Sequence, residues 1–177
     1  MLSNSTVLVT GAAGSIGSEV CKKLLQLGVH RLKCYDNSEY GLYRLSQKIN
    51  NDERVRYLLG DIRDSARLER AVFGSDYIVH AAALKHVKFC EFNPDEAFKT
   101  NVIGTQNLLY FAGLCPNIDA FHYISTIAVS GSHSGTYYES VLDEGQSFTN
   151  SYAETKYFAE FQVQNWEFKK PIKRRIY

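Results

Sequence analysis

Short apolar runs alternate along the chain with segments whose apolar residues recur every three or four positions. The short runs predict strands at residues 6–10, 32–36, 55–59, 77–81 and 120–125. The longer segments predict helices at residues 15–27, 39–49 and 66–73, from 94 to about 112, and from 151 towards 168. Strands and helices that alternate in this order predict an α/β fold built on a doubly wound parallel sheet.

Two segments fall outside this alternation. Residues 126–150 predict a loop, and loops of this length are usually functional or disordered. Residues 169–177 predict a helix end, a proline turn and the start of another strand. We therefore expect a single domain over residues 1–177 that is truncated at its C-terminus and lacks a substrate-binding part. The lysines and arginines of residues 169–175 fit a solvated helix end better than a surface for an acidic partner.

The charge and cysteine content narrow the class of protein. The chain has 177 residues and a formal net charge of +1, from 20 basic and 19 acidic side chains. This balance gives no indication of a nucleic-acid-binding surface. The four cysteines are dispersed without a Cys-x-x-Cys spacing, which favours a reducing compartment. Because the sequence also lacks a membrane-length apolar run and a signal-peptide pattern, we expect a cytoplasmic protein without membrane contact.

The histidines and serines offer little catalytic chemistry. The histidines show no metal-ligand spacing with one another or with the cysteines, so we predict no metal site. His80 and His122 fall in strand patterns and are expected to be core residues. No Gly-x-Ser-x-Gly elbow follows a predicted strand, which argues against a hydrolase.

Three glycines, Gly11, Gly14 and Gly17, follow the first predicted strand and open the first predicted helix. In this setting glycines allow a sharp turn, a close approach of backbone amides to a pyrophosphate, and tight packing of the helix on the strand. The first helical residues, Ser15 and Ile16, lie at the positive end of the helix dipole. The pattern predicts a dinucleotide-binding loop, although three glycines at a given spacing also occur by chance in loops without function.

Asp36 ends the second predicted strand, nineteen residues after Gly17. A carboxylate at this position can accept hydrogen bonds from a ribose 2′-hydroxyl and would repel a 2′-phosphate. We therefore expect NAD in preference to NADP, with Asn37 beside the same cofactor. Lys33 and Arg44 are nearby cations that could soften the preference, and Asp36 could instead be a simple turn residue.

Tyr152 and Lys156 lie four residues apart at the start of the last predicted helix, which places both on one face about one turn apart. A neighbouring ammonium and the positive charge of an oxidised nicotinamide both favour the phenolate form of a tyrosine. The pair could then exchange a proton with a substrate hydroxyl or carbonyl while hydride moves to or from the cofactor. The same spacing also occurs in ordinary pairs on helix surfaces.

With these motifs the chain resembles the extended short-chain dehydrogenase/reductase superfamily, the NAD-dependent epimerases and dehydratases, over nearly its whole length. The resemblance is carried by the glycine motif and by residues 60–64, 80–83, 100–105 and 125–131. It implies a Rossmann-like NAD(P)-binding domain. Besides the glycine loop, Asp36 and Asn37, it implies cofactor contacts at Asp61, Ile62, Ala81, Ala82, Ala83, Lys85, Asn101, Tyr152 and Lys156.

The resemblance also implies roles in catalysis and substrate binding. Tyr152 would transfer the proton, Lys156 would lower the pKa of Tyr152 and hold the ribose, and Thr126 would orient the substrate oxygen. Ser125 and Lys85 would join Thr126 at the substrate.

The first half resembles one branch in particular, the nucleotide-sugar dehydratases and epimerases of polysaccharide biosynthesis, through residues 36–43 and 83–87. In related sugar epimerases a lysine at the position of Lys85 lies by the nicotinamide, although a solvated loop lysine fits the sequence equally well.

The second half departs from that branch. Dehydratases usually carry proton-transferring residues directly after the threonine, where this chain has the apolar Ile127 and Ala128. Elimination would need a substitute, for which the candidates are Lys85, His86, Glu139 and Glu144. Residues 123–131 and 143–152 instead resemble the acyl-thioester reductases of the same superfamily, which usually prefer NADPH.

Together these features predict an NAD-dependent nucleotide-sugar epimerase or dehydratase-like enzyme of polysaccharide precursor synthesis. The alternatives are an acyl-thioester or carbonyl reductase and a cofactor-binding fragment without turnover of its own. In this superfamily two long helices commonly pack into a dimer. The apolar residues on the outward faces of the helices from Pro94 and from Ser151 permit such a homodimer.

Overall fold

Six parallel strands form one sheet in the computed structural model, which describes residues 2–177. In chain order they are β1 (Thr6–Thr10), β2 (Arg31–Asp36), β3 (Val55–Leu59), β4 (Tyr77–His80), β5 (Ala120–Tyr123) and β6 (Lys173–Ile176). Their order across the sheet is β3-β2-β1-β4-β5-β6. The doubly wound parallel sheet predicted from the sequence is confirmed. The strand order reverses between β1 and β4, and open α/β sheets bind ligands at the carboxyl ends of such strands.

Seven α-helices connect or flank these strands. They are α1 (Ser15–Gln26), α2 (Glu39–Lys48), α3 (Ser65–Val72), α4 (Val87–Phe92), α5 (Pro94–Phe98), α6 (Gly104–Leu114) and α7 (Ser151–Asn165). A single π-helical segment, Lys99–Ile103, joins α5 to α6, and short 3₁₀ turns occur at Leu2–Asn4 and Ile127–Ser130.

The helices differ from the sequence prediction in one region. The predicted helix from 94 to about 112 consists of α5, the π-helical segment and α6, and α4 precedes it without having been predicted. The segment of α4 has only six residues, too few for a helical period to be legible, and Phe89 and Phe92 in it are exposed. At the start of α6 a Cβ on Gly104 would lie 2.5 Å from Cδ1 of Ile62, so any other residue there would require the Ile62 side chain to move.

The core lies on both faces of the sheet, and its central strand β1 is therefore buried at four consecutive residues, Val7 to Thr10. Val7 and Val9 of β1 point to one face and pack with α1, α2 and β2 residues such as Leu32. Leu8, between them, points to the other face and packs with residues of α3, α6 and α7, among them Leu68 and Leu108.

The described residues contain no obvious membrane or metal feature. No helix within residues 2–177 combines the length and the apolar character needed to cross a membrane. No group of three or more His, Cys, Asp or Glu side chains in this range could hold a metal ion. The four cysteines are buried free thiols. His80 is buried as predicted, whereas His122 is only half-buried, with Nδ1 3.0 Å from the Tyr177 hydroxyl.

Candidate functional site

A cavity of about 310 Å³ lies at the carboxyl ends of β1, β2 and β4. The residues that the sequence predicts as cofactor contacts, except Asn101, Tyr152 and Lys156, line this cavity. They are Gly11, Gly14, Ser15, Ile16, Gly17, Asp36, Asn37, Asp61, Ile62, Ala81, Ala82, Ala83 and Lys85. The fold thus brings together side chains from four separate loops, as expected where parallel strands end at one edge of a sheet.

Glycines form the floor of this cavity because side chains there would collide with backbone. Gly11 has φ +67°, and a Cβ on it would lie 2.6 Å from the carbonyl carbon of Ala81 on the neighbouring strand end. A Cβ on Gly17 would lie 2.1 Å from the carbonyl oxygen of Gly11. Gly11 is therefore needed for both its left-handed backbone and its close approach, and Gly17 allows α1 to pack on the loop.

The N-terminus of α1 faces the cavity and lacks a side-chain cap. Gly14 is its N-cap residue and makes no side-chain hydrogen bond to the helix. By contrast, α2, α3 and α7 are capped by the side chains of Ser38, Asp64 and Asn150. The first-turn amides of α1 are therefore available to an anionic group, which the helix dipole also favours.

Asp36 stands at the end of β2 beside this loop. Its Oδ2 accepts a hydrogen bond from the backbone N–H of Ala13 at 2.9 Å, and its Oδ1 accepts one from the N–H of Ser38 at 2.9 Å. The half-buried carboxylate retains lone pairs for a donor such as a ribose hydroxyl.

Lys33 does not face the cavity, so the expectation that it softens the preference for NAD is wrong. Its Nζ donates to the backbone carbonyls of Ala71 and Phe73 at the end of α3. Burial among these groups lowers the pKa of Lys33. The reason lies in the alternation of β2, which sends Lys33 to the face of the sheet where α3 packs.

Asp61 lines the cavity after β3, and Arg63 holds its carboxylate. A guanidinium nitrogen of Arg63 lies 2.6 Å from Oδ2 of Asp61, and a second nitrogen pairs with Glu96. The hydrogen bonds from the Arg63 side chain hold the pKa of Asp61 below its usual value, so the carboxylate stays ionised near neutral pH. From beneath, the Tyr35 hydroxyl donates to the Asp61 carbonyl at 2.7 Å. The sequence analysis did not single out Arg63 or Tyr35.

Asn101 lies beside the cavity and not in its lining. Its Oδ1 accepts from the N–H of Leu84 at 2.8 Å, and its Nδ2 donates to the Leu84 carbonyl and to Thr155 Oγ1, each at 3.0 Å. Both amide hydrogens are used in these contacts. The Asn101 side chain therefore links the loop after β4 to α7, and the cofactor contact expected from the sequence stays a prediction.

A second group of polar side chains lies at the end of β5, against α7. Lys156 is 3% exposed, and its Nζ donates to the Tyr123 hydroxyl and to the Ile124 carbonyl, both at 2.7 Å. Burial lowers the pKa of Lys156 to about 7, and the charge of Glu160 opposes that shift. A lysine in this state can exchange a proton near neutral pH.

The other two predicted catalytic residues, Thr126 and Tyr152, precede this lysine along the chain. Tyr152 is the second residue of α7 and is half-buried. Thr126 begins the 3₁₀ turn Ile127–Ser130, which packs on α7, and its Oγ1 accepts from the N–H of Ala128 at 3.3 Å.

Two buried residues of this group, Tyr123 and Glu160, were missed by sequence reasoning. Tyr123 falls in an apolar strand and gives no signal of its own. Glu160 follows Lys156 at the i, i+4 spacing, and this spacing could have indicated that the two share a helix face.

Comparison with known proteins matches residues 7–132 to the family described as polysaccharide biosynthesis protein. Among curated relatives, an uncharacterized membrane protein of Methanocaldococcus jannaschii is 47% identical over 123 residues, which are 70% of this chain and 36% of that protein. The inverting UDP-N-acetylglucosamine 4,6-dehydratase of Campylobacter jejuni is 38% identical over 110 residues, which are 62% of this chain and 33% of that enzyme.

Solved structures match nearly all of the chain. A dTDP-glucose 4,6-dehydratase from Streptomyces venezuelae, crystallised with NAD, has a TM-score of 0.83 at 31% identity, over 96% of this chain and 54% of that one. A UDP-glucuronic acid 4-epimerase from Bacillus cereus, also in complex with NAD, has a TM-score of 0.79 at 28% identity, over 96% and 55%. The chain spans about a third of the length of its curated relatives and about half of these solved chains.

Proposed function

This chain belongs to the polysaccharide biosynthesis protein family. From that premise we propose that it binds NAD and acts as a nucleotide-sugar epimerase or dehydratase. The resemblance to the extended short-chain dehydrogenase/reductase superfamily is confirmed by the same comparisons. In this proposal residues 1–177 form the NAD(P)-binding domain. The names of the relatives, which act on UDP- or dTDP-linked sugars, support the class of substrate.

The observation that carries the proposal is the glycine floor beneath an uncapped helix, with Asp36 beside it. Gly11 and Gly17 leave room only for backbone, and the free amides at the start of α1 suit a pyrophosphate. Asp36 would accept hydrogen bonds from the adenosine ribose. The chemistry of these residues suits the pyrophosphate and ribose of NAD.

The two ends of the cavity suit the two ends of a dinucleotide. Asp61 and Ile62 would hold the adenine at one end. At the other, Lys85 and the strand end of Ala81–Ala83 would lie beside the nicotinamide, whose chemistry when bound is to accept and return hydride.

Proton transfer falls to the residues of α7 and the end of β5. Tyr152 would take a proton from the substrate hydroxyl as hydride leaves, and Thr126 would orient that oxygen. Lys156, with a pKa of about 7, would stabilise the phenolate and take part in the proton exchange.

The residues after Thr126 favour epimerisation over elimination. Elimination of a sugar hydroxyl requires a further acid to protonate the leaving group. The next side chain, Ile127, is 76% exposed and apolar, and Ala128 follows it. Apolar side chains cannot transfer protons, so we favour the epimerase within this proposal.

Calorimetric titration of the chain with NAD and, separately, with NADP tests the cofactor. We expect NAD to bind and NADP to bind more weakly. Preference for NADP would favour the acyl-thioester or carbonyl reductase alternative. Absence of binding by both would contradict the proposed cofactor site. The matched variant Asp52→Asn, which lies in the turn before β3 and outside the cavity, should bind NAD like the parent.

A further inference from the structure

Four buried or half-buried side chains join the end of β5 to one face of α7. They are Tyr123, Ser125, Lys156 and Glu160. Lys156 and Glu160 are only 3% and 6% exposed, which is unusual for two ionisable side chains on one helix. Burial of both requires specific partners, because an unpaired charge in this position would be strongly destabilising.

The contacts of Glu160 are directed at Ser125. The Ser125 hydroxyl donates to Oε2 of Glu160, and Oε1 accepts from Nε2 of Gln164 at 3.2 Å. One turn earlier on the same face, Lys156 donates to the Ile124 carbonyl at 2.7 Å. Two adjacent residues at the end of β5 are thus held by two side chains one helical turn apart.

The attachment of Ser125 to α7 also fixes the position of the next residue, Thr126. The backbone N–H of Ser125 donates to the Tyr177 carbonyl at 2.7 Å, so Ser125 is held by its backbone as well as by its side chain. Thr126 comes next, in extended backbone with φ −160° and ψ 148°. Its position relative to α7 therefore depends on how firmly Ser125 is held.

We propose that Glu160 is a positioning residue that holds Ser125, and through it Thr126, against the helix that carries Tyr152 and Lys156. The inference rests on the proposed function, since the place of Thr126 matters for chemistry only if it orients a substrate oxygen.

Glu160 also acts on Lys156 through its charge. The groups that face the Lys156 ammonium are the Tyr123 phenol, the Glu160 carboxylate and, farther off, His80. His80 is neutral because burial lowers its pKa to about 3. Glu160 is therefore the anion among these groups, and its charge favours the protonated form of Lys156.

Two variants separate these effects. Glu160→Gln keeps an acceptor for the Ser125 hydroxyl but removes the charge. Ser125→Ala removes the hydroxyl but leaves the charge of Glu160. Circular dichroism and thermal unfolding establish that each variant is folded before either is interpreted.

The first readout is the titration of the Lys156 side chain, followed by NMR and assigned with Lys156→Arg. In Glu160→Gln we expect the midpoint to fall by about half a pH unit or more, because the favourable charge is lost. The second readout is the methyl order parameter of Thr126, which should fall in Ser125→Ala, with the buried Thr105 methyl as an unchanged control.

If the Thr126 order parameter keeps its wild-type value in folded Ser125→Ala, the positioning of Thr126 through Ser125 is refuted, and an unchanged Lys156 midpoint in folded Glu160→Gln refutes the charge effect of Glu160. A residue that merely fills the core would alter stability without moving the Lys156 midpoint. Both measurements are made without cofactor or substrate. A failure of the proposed function would appear in the NAD titration and leave these two readouts intact.

Discussion

The hydroxyl of Thr10 donates a hydrogen bond to Nδ1 of His80, 2.7 Å away on the neighbouring strand. The direction follows from the far side of the ring. Thr105 uses its single hydroxyl hydrogen to donate to the Asn101 carbonyl at 2.6 Å, so it accepts from Nε2 of His80 at 2.9 Å. His80 therefore carries its proton on Nε2. A series of hydrogen bonds with one direction runs from Thr10, beside Gly11, to Asn101 of the π-helical segment, whose side chain contacts α7.

Replacement of His80 by phenylalanine should destabilise the fold. The change leaves the buried hydroxyl of Thr10 without its acceptor and removes the donor to Thr105. We expect a loss of about 2–3 kcal/mol in the free energy of unfolding, measured with denaturant. His122→Phe, at a half-buried position on β5, should lose less than about 1 kcal/mol. Equal losses in the two variants would show that the hydrogen bonds of His80 do not contribute to stability.

Because of His80, the free energy of unfolding should decrease as the pH is lowered, and it should do so more steeply than in a variant without this histidine. Burial lowers the pKa of His80 to about 3 in the folded state, below the value near 6.5 expected when unfolded. The unfolded chain therefore binds more protons between these values, and stability is lost as pH falls from about 6.5 towards 3. The free energy of unfolding, measured across this range, should depend less on pH in His80→Gln. Parallel curves for the two proteins would refute the assignment.

Asp36→Asn should shift the cofactor preference. The amide oxygen can still accept from one backbone N–H, but the repulsion of a 2′-phosphate is removed. We expect the affinity for NADP relative to NAD to rise about tenfold, which corresponds to about 1.4 kcal/mol. Calorimetry of both cofactors measures the ratio, and the distant Asp52→Asn variant should leave it unchanged. An unaltered ratio of the NADP and NAD affinities in Asp36→Asn would mean that Asp36 does not recognise the ribose.

Tyr152→Phe should abolish most turnover and leave NAD binding intact. The phenol is the group proposed to move the proton, and loss of such a group reduces rates by about 100-fold or more. The measurement is turnover of UDP- and dTDP-sugars by the longest form of the protein that carries this chain. Tyr157→Phe, on the same helix, serves as the control. Full activity in Tyr152→Phe would exclude the proposed role.

The exposed aromatic residues of α6 and α7 predict a homodimer. Tyr110 and Leu114 on α6 are each 54% exposed, and Phe158 and Phe161 on α7 are 42% and 45% exposed. Apolar residues grouped in this way on two packed helices are typical of an interface. Sedimentation velocity should report a dimer that Phe161→Glu dissociates and that Phe73→Glu, at the end of α3, leaves intact. A monomeric parent protein would disprove the prediction.

The strands and the glycine loop were predictable because their signals are local. The central strand β1 is buried on both faces, so an apolar run with a turn after it suffices to place it, whereas the edge strand β6 is charged and largely exposed. Lys33 was misjudged because its partners lie far away in sequence, at the end of α3. Tyr123 escaped notice for the same reason, since the packing of α7 on β5 is a tertiary property that no single segment encodes, whereas Glu160 had a local signal in its i, i+4 spacing from Lys156.

The Asp36 side chain links the choice of cofactor to the structure of the glycine loop. The carboxylate that would recognise a ribose also receives the N–H groups of Ala13 and Ser38, and so joins the glycine loop to the start of α2. A lineage that exchanges this residue to accept another cofactor also loses one or both of these hydrogen bonds to the loop. Evolution of cofactor choice at this site should therefore proceed through paired substitutions, one for recognition and one that restores the loop.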